Sequence, residues 1–378
     1  MKKNLLFLSG AAALAASLLS CNKPAEALLP ENPAGGEITV RIDVPEDQFT
    51  KSAFADRKDF QINKVQVFVF DSASLLETSY YAAVSPVDNS TSVTLATFTG
   101  PKTVYAILNH DRLAFTPKVS TLSNLEETLT DLSMNSPTNL VMSGKNTVTV
   151  TEYDKNKNAG AAPQTVNVFV KRLAAMVQLD QVTVDFRGTA LEGATFSIEE
   201  LYLKNVVGKS RLGVSGVTAS ANSSVLPLPL EDSEHTNYSY WYNKGTLQAS
   251  GAPAVTYDVW SHSCTSAGSP SALSRILFAY PNKTAGDSHA DSFSQRKTRL
   301  VVKAHVKATA YSTVDEDTYY VLDLPVLVAN NVYRVTNFTI TALGKKNDDK
   351  DEDLQAGRIT PTITVDPWTG TTNLTYEF

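Results

Sequence analysis

Residues 358–378 read RITPTITVDPWTGTTNLTYEF and carry two runs of strand-type alternation. In the first, Ile359, Pro361, Ile363 and Val365 share one face and Thr360, Thr362, Thr364 and Asp366 the other. In the second, Leu374, Tyr376 and Phe378 alternate with Asn373, Thr375 and Glu377. A side-chain period of two belongs to a β-strand with one face on a core. Just upstream, residues 345–353 (KKNDDKDED) hold eight charges in nine positions, a run expected to stay solvated. The chain is therefore expected to close its last domain near Gly344, cross a charged linker over 345–357, and offer 358–378 as an apolar segment on a tether. Pro367 to Gly370 separates the two runs, which leaves open a hairpin or two consecutive strands. Fully extended, the segment reaches roughly 70 Å at about 3.3 Å per residue, more than the width of a small domain.

The same period appears near the other end. In residues 37–44 (EITVRIDV), Ile38, Val40, Ile42 and Val44 point one way, and Thr39, Arg41 and Asp43 the other. A polar connector follows, PEDQFTKSAFADRKDF, with Lys51, Arg57 and Lys58. Exposed basic connectors between strands are natural sites for trypsin-like nicking, although most are only solvated loops. Strand-type stretches then recur at 64–70, 80–84, 92–98, 103–108 and 147–151, bounded by Pro86, Asn89 and Gly100-Pro101. One helix is expected around Ser123-Asn124-Leu125-Glu126, which has capping-box spacing, with Leu122, Leu125, Leu129 and Leu132 at helical intervals. The turn-rich stretch 154–163 is the expected junction between domains. Beyond it, strands are expected within 165–179, 195–206, 274–280, 298–308, 318–328 and 331–343. No helix of crossover length separates them, which points to antiparallel sandwiches rather than a parallel α/β sheet. The expected fold is all-β: two β-sandwich domains, residues 37–163 and 164–344, with one or few short helices.

The chain has 378 residues, enough for two cored domains, and a net charge of −6, which argues against nucleic acid as a partner. Lys2 and Lys3 precede an apolar stretch from Leu5 to Leu19, too short for a membrane span and built like an export signal over residues 1–20. It ends in Leu18-Leu19-Ser20-Cys21, which resembles a bacterial lipobox, with Cys21 as the lipidated first residue of the mature chain. An ordinary secretory signal with an incidental cysteine is the alternative. A lipidated Cys21 leaves Cys264 without an intramolecular partner, since the chain has only two cysteines. Residues 21–36 then read as a tether.

Catalytic patterns are not found. The five histidines are scattered, and none sits in an HExxH pair. His262-Ser263-Cys264 offers two ligands where structural zinc needs four. Asp287, His289 and Asp291 alternate within what reads as a solvated loop. Asp349, Asp351 and Asp353 mimic the start of a calcium loop, but Leu354 replaces its glycine and Thr360 its glutamate. No catalytic residue, cofactor or metal site is assigned. Tyr238, Tyr240, Trp241 and Tyr242 (NYSYWY) form an aromatic cluster suited either to stacking on a sugar or to a sandwich core.

Several landmarks together resemble the fimbrillins of Bacteroidia, the FimA/Mfa-type major shaft subunits of type V pili. They are the lipobox at Cys21, KTVYAILNH ending beside Asn109, the MSG at Met142 to Gly144, and VFVKRLAAMVQL. LVANNVYRVTNFTITALG and ITPTITVDPW, with its late Trp368, complete the series. The resemblance implies transthyretin-like sandwiches and an assembly route. The subunit would be exported as an outer-membrane lipoprotein and cut after its first strand by a trypsin-like or arginine-specific protease. It would then polymerise head to tail into an extracellular fimbrium that supports adhesion and biofilm formation. The removed strand would carry Ile38, Val40, Ile42 and Val44. The donor strand of the neighbouring subunit would carry Ile359, Ile363, Val365, Trp368, Leu374, Tyr376 and Phe378. Lys51 matches the cleavage site by position, whereas Arg57 has the family's usual chemistry, so both remain candidates. Partners implied are identical subunits, anchor and tip subunits, the maturation protease, and the outer membrane through the lipid before cleavage. An anchor or tip subunit, or a surface glycan-binding lipoprotein, is the alternative.

Overall fold

The computed structural model describes residues 35–45, 59–116, 119–153, 162–221, 223, 225–231, 234, 238–242, 253–284, 296–308, 310–346, 359–367 and 374–377. Strands dominate. The first half contains β1 (Gly35–Asp43), β2 (Gln61–Phe70), β3 (Leu76–Asp88), β4 (Ser90–Phe98), β5 (Gly100–Leu108), helix α1 (Leu122–Glu127), β6 (Leu129–Asp131), β7 (Met142–Val150), β8 (Gln164–Phe169) and β9 (Lys171–Arg172). The second contains β10 (Ala175–Asp185), β11 (Thr195–Lys204), β12 (Val206–Val207), β13 (Lys209–Arg211), β14 (Trp241–Tyr242), β15 (Tyr257–Cys264), β16 (Ala267–Ala279), β17 (Arg299–Ala308), β18 (Val314–Asp323) and β19 (Asn331–Ile340). β20 (Ile359–Pro367) and β21 (Leu374–Glu377) close the chain.

Two pairs of sheets result. The first pair has the orders β4-β1-β8 and β3-β2-β5-β7-β9; the second has β16-β10-β19-β20-β21 and β15-β11-β17-β18. β2 shows why such strands form. Val65, Val67 and Val69 are buried on one face, and Gln66, Phe68 and Phe70 on the other, as suits a strand covered on both sides. The one polar group among them is satisfied. The Gln66 amide donates to the Leu113 carbonyl at 2.8 Å and accepts from the Leu113 amide at 2.9 Å.

Three details depart from the sequence reading. The helix is capped by Thr121, whose side chain accepts from the Asn124 amide, so Ser123 lies inside the first turn rather than at the cap. The run 165–179 is three strands, because Arg172 and Leu173 turn the chain from one sheet pair into the other. β8 pairs with β1 and β9 with β7, so the first pair of sheets extends to Arg172, past the 154–163 stretch expected to divide the domains. Lys345, expected in a solvated linker, is buried, and its backbone exchanges two hydrogen bonds with Tyr319 at 2.8 and 2.9 Å. Residues 347–358 lie outside the described residues.

The halves are stitched together by the stretch after β11. β13 pairs with β6 of the first half, the Leu212 and Gly213 amides donate to Thr128 and Glu126 carbonyls, and the buried Tyr105 hydroxyl donates to the Leu212 carbonyl at 2.7 Å.

Candidate functional site

β1 is the middle strand of its sheet. It runs antiparallel to β4, from Gly35 opposite Phe98 to Asp43 opposite Ser90, and parallel to β8, from Ile38 beside Gln164 to Asp43 beside Phe169. Within that three-stranded sheet β4 and β8 have no other ladder neighbour. Its apolar face is fully engaged: Ile38, Val40 and Ile42 are 0% exposed and Val44 3%. They pack with Val93 and Leu95 of β4 and Val166 and Val168 of β8 in one core. Outside, the Thr39 and Thr94 hydroxyls lie 3.1 Å apart across the ladder, and Arg41 pairs with Asp43 at 3.1 Å. Burying four such side chains contributes roughly 6–12 kcal/mol, at about 1.5–3 kcal/mol each. That is the scale of a whole domain's stability, about 5–15 kcal/mol. Taking β1 away would leave an apolar groove between two unpaired strand edges.

The chain leaves β1 at Val44, whose amide donates to the Asn89 carbonyl at 2.7 Å, and becomes described again at Asp59. Lys51 and Arg57, the candidate cleavage residues, lie outside the described residues, as do Cys21, Trp368 and Phe378. At Asp59 the chain is held by Arg172. The Arg172 Nε donates to the Asp59 carbonyl at 3.1 Å, and its Nη2 lies 3.3 Å from the Asp59 carboxylate. Both side chains are buried, at 1% and 5% exposure. The backbone amide of Arg172 donates to the Asn330 side chain at 3.1 Å, in the turn that enters β19. Beside it, Lys171 donates to the Ser223 carbonyl at 2.7 Å, and burial pushes its ammonium pKa down.

The carboxy-terminal segment sits at the edge of the second half's sheet. β20 runs antiparallel to β19, from Ile359 opposite Ile340 to Pro367 opposite Asn331, and β21 folds back on it with Leu374 opposite Val365. Of the two arrangements left open by the sequence, the structure has the hairpin. Pro361, Ile363 and Val365 face the core and are buried. Pro361 lies outside the stretch of β20 that β21 pairs, Thr362 to Val365. Ile359, Leu374 and Tyr376 are placed in their strands. β20 therefore has a single neighbour outside the tail, whereas β1 has two.

The aromatic cluster is built into the seam between the halves. Trp241 is buried, and the Tyr242 hydroxyl donates to the Asp131 carboxylate at 2.7 Å. Lys209 also reaches that carboxylate, at 2.5 Å. Burial opposes ionisation of Asp131, but Lys209, Ser133 and Tyr242 together outweigh it and bring its pKa to about 2. His305 has an aspartate at each ring nitrogen, Asp317 at 3.0 Å and Asp315 at 2.9 Å, which raises its pKa. Glu199, His305 and Asp317 converge closely enough to suit a metal ion. The Lys303 ammonium already lies 3.1 Å from both Glu199 and Asp317, so that charge is met by the chain itself. His262 and Cys264 lie on β15, with Cys264 buried.

Sequence reasoning missed Asp59, Arg172 and Asn330. A signal was present in VFVKRLAAMVQL, where two adjacent cations interrupt a run otherwise apolar enough to be buried.

A family model described as major fimbrial subunit protein (FimA) matches residues 36–180. Among solved structures, the chain is similar to a putative cell adhesion protein from Parabacteroides distasonis, at 15% identity over 88% of this chain and 100% of that one, with a TM-score of 0.59. It is similar to a putative cell adhesion protein from Bacteroides eggerthii, at 17% identity over 90% and 98% of the two chains, with a TM-score of 0.54. A fimbrilin (FimA) from Porphyromonas gingivalis aligns at 17% identity over 88% and 97%, with a TM-score of 0.55. No curated protein sequence matches the chain. The family match thus covers residues 36–180, and along most of its length the chain shares the fold of the fimbrilin and the cell adhesion proteins it is similar to.

Proposed function

We propose that the chain is the shaft subunit of a type V fimbria, exported as a lipoprotein on Cys21, cut in the connector at Lys51 or Arg57, and polymerised by strand exchange. The observation that carries this reading is the position of β1, the shared ladder partner of β4 and β8. A strand so placed cannot be lost without replacement, because two edges and an apolar face would be exposed at once. The tail is the matching part. Ile359, Pro361, Ile363 and Val365 repeat the period and length of Ile38, Val40, Ile42 and Val44. Trp368, Leu374, Tyr376 and Phe378 would extend the donor if both runs are used. Supplied from a second copy, the tail would complete the groove by β-augmentation. Because donor and acceptor are different surfaces, the contact repeats head to tail without closing and grows a filament. The glycan-binding alternative loses its platform, since Trp241 is buried and the Tyr242 hydroxyl is engaged by Asp131.

The test is trypsin treatment of purified precursor, with and without residues 358–378, followed by electron microscopy and amino-terminal sequencing. The intact chain is expected to give filaments whose subunits begin after Lys51 or Arg57, and the truncated chain to be cut but remain monomeric. Filaments from the truncated chain, or assembled subunits still beginning at Cys21, would overturn the proposal.

A further inference from the structure

Both ends of the connector between β1 and β2 are fastened to one short piece of chain just after β8. On the near side, the Val170 amide donates to the carbonyl of Asp43, the last residue of β1, at 3.0 Å. On the far side, Arg172 holds Asp59 through its carbonyl and its carboxylate. Val170 and Arg172 are two residues apart, at most about 7 Å of extended chain. Arg172 is also fixed from the second half, by the Asn330 side chain on its amide. The adjoining Ala174 carbonyl accepts from the Asn330 amide at 3.0 Å.

We infer that Arg172 is a positioning residue for strand exchange: with Asp59 it anchors the amino terminus created by cleavage and holds the end of β8 in register while the groove is empty. This rests on the maturation proposed above. Before cleavage the pair is redundant, because the unbroken chain ties Asp59 to β1, and β1 holds β8 along its length. Cleavage removes the first restraint, and the departure of β1 during exchange removes the second. The Val170–Asp43 bond leaves with β1, whereas the Arg172–Asp59 contact involves no atom of β1 and survives. The groove edge formed by β8 is then held by the β9–β7 pairing, by the Asn146 side-chain amide on the Asn167 carbonyl, by Lys171 on Ser223 and, at the side of the new amino terminus, by Arg172 on Asp59. A burial this deep is costly for a guanidinium that serves stability alone, since replacing a buried ion pair by apolar side chains is often neutral.

That difference supplies the test. The double substitution Asp59→Asn with Arg172→Met removes both charges together, so neither is left buried without the other. Variant and parent, each lacking residues 358–378, are compared uncut by thermal melting and cut by titration with a synthetic peptide of Arg358–Phe378. The uncut variant is expected to melt with the parent, and the cut variant to bind the peptide at least tenfold more weakly. Hydrogen exchange of residues 164–169 is expected to rise in the cut variant only. Equal peptide affinity for cut variant and cut parent would overturn the inference. So would an uncut variant that fails to fold, because the pair would then hold the domain together regardless of cleavage. Should the cut parent itself bind no peptide, strand exchange is wrong, and this inference falls with it.

Discussion

Asn109 shows how much of this fold hangs on single side chains. It directly follows β5 with a φ of 60°, a conformation that asparagine tolerates better than most residues. Its side chain accepts from the Asn63 and Lys64 amides and donates to the Gln61 and Leu140 carbonyls. One buried amide thus fastens the start of β2 to the approach to β7. Asn109→Ala should cost about 2–4 kcal/mol, from stranded buried partners at about 1–3 kcal/mol and left-handed strain of about 1 kcal/mol. Asn109→Gly should cost less, because glycine removes the strain but not the lost bonds. Urea midpoints of the first unfolding transition measure both, and equal losses would show that strain contributes nothing. Gly144, in the MSG landmark, has a different reason. A Cβ there would run into the Phe169 carbonyl and stand 3.0 Å from the Val170 Cα, so the glycine lets the end of β8 approach β7.

At the scale of elements, β1 and β20 should answer substitution in opposite ways. Val40→Asp would place a carboxylate in the core between β4 and β8 and should destabilise the uncut chain by at least about 3 kcal/mol. Under the proposed maturation it should leave finished filaments untouched, because the strand is discarded. Ile363→Asp should leave the uncut chain folded, since β16, β10 and β19 remain paired without the tail, yet it should abolish filaments. Denaturant titration of precursors and electron microscopy of trypsin-treated protein read the two effects. Filament loss by Val40→Asp in chains that reach the folded, cut state would contradict the scheme. Both strands were legible from the sequence, because half-buried strands write their burial as a period of two. The break at Lys171 to Ala174 was not. Burial runs from Val170 through the cations Lys171 and Arg172 to Leu179, and the chain changes sheets where Arg172 meets Asp59 and Asn330, partners more than a hundred residues away in both directions. The cap at Thr121 was missed for a milder reason: Thr121 and Ser123 are both plausible caps, and only the geometry selects between them. The candidate cleavage residues were readable as chemistry, but no periodicity assigns a scissile bond.

For the whole molecule, the seam between the halves is ionic at its centre. Asp131 accepts from Lys209, Ser133 and Tyr242, and its pKa in the fold is about 2, against about 3.9 for an unfolded aspartate. A group whose folded pKa is depressed contributes stability above its unfolded value and loses it as pH falls through the folded value. The seam should therefore hold fully above pH ~4 and weaken toward pH ~2, by on the order of 2 kcal/mol. Asp131→Asn should flatten that part of the acid-unfolding profile, measured by circular dichroism between pH 5 and 2. An unchanged profile would mean that other carboxylates govern it.

The parallel pairing of β1 with β8 has a consequence in time. Ile38 lies beside Gln164, so the ladder joins positions 164 − 38 = 126 residues apart. Such a contact bears a large loop-closure cost before it returns anything, and topologies built on it fold slowly. The earliest of these strands to be synthesised must wait, with its apolar face uncovered, for about a third of the chain to follow. Under the proposed export route, a new subunit would pass through a stage in which the groove exists and its own strand has not yet taken it. Under the same proposal, that interval is when a neighbour's tail would compete for the groove, and fast closure by β1 would keep assembly from starting early.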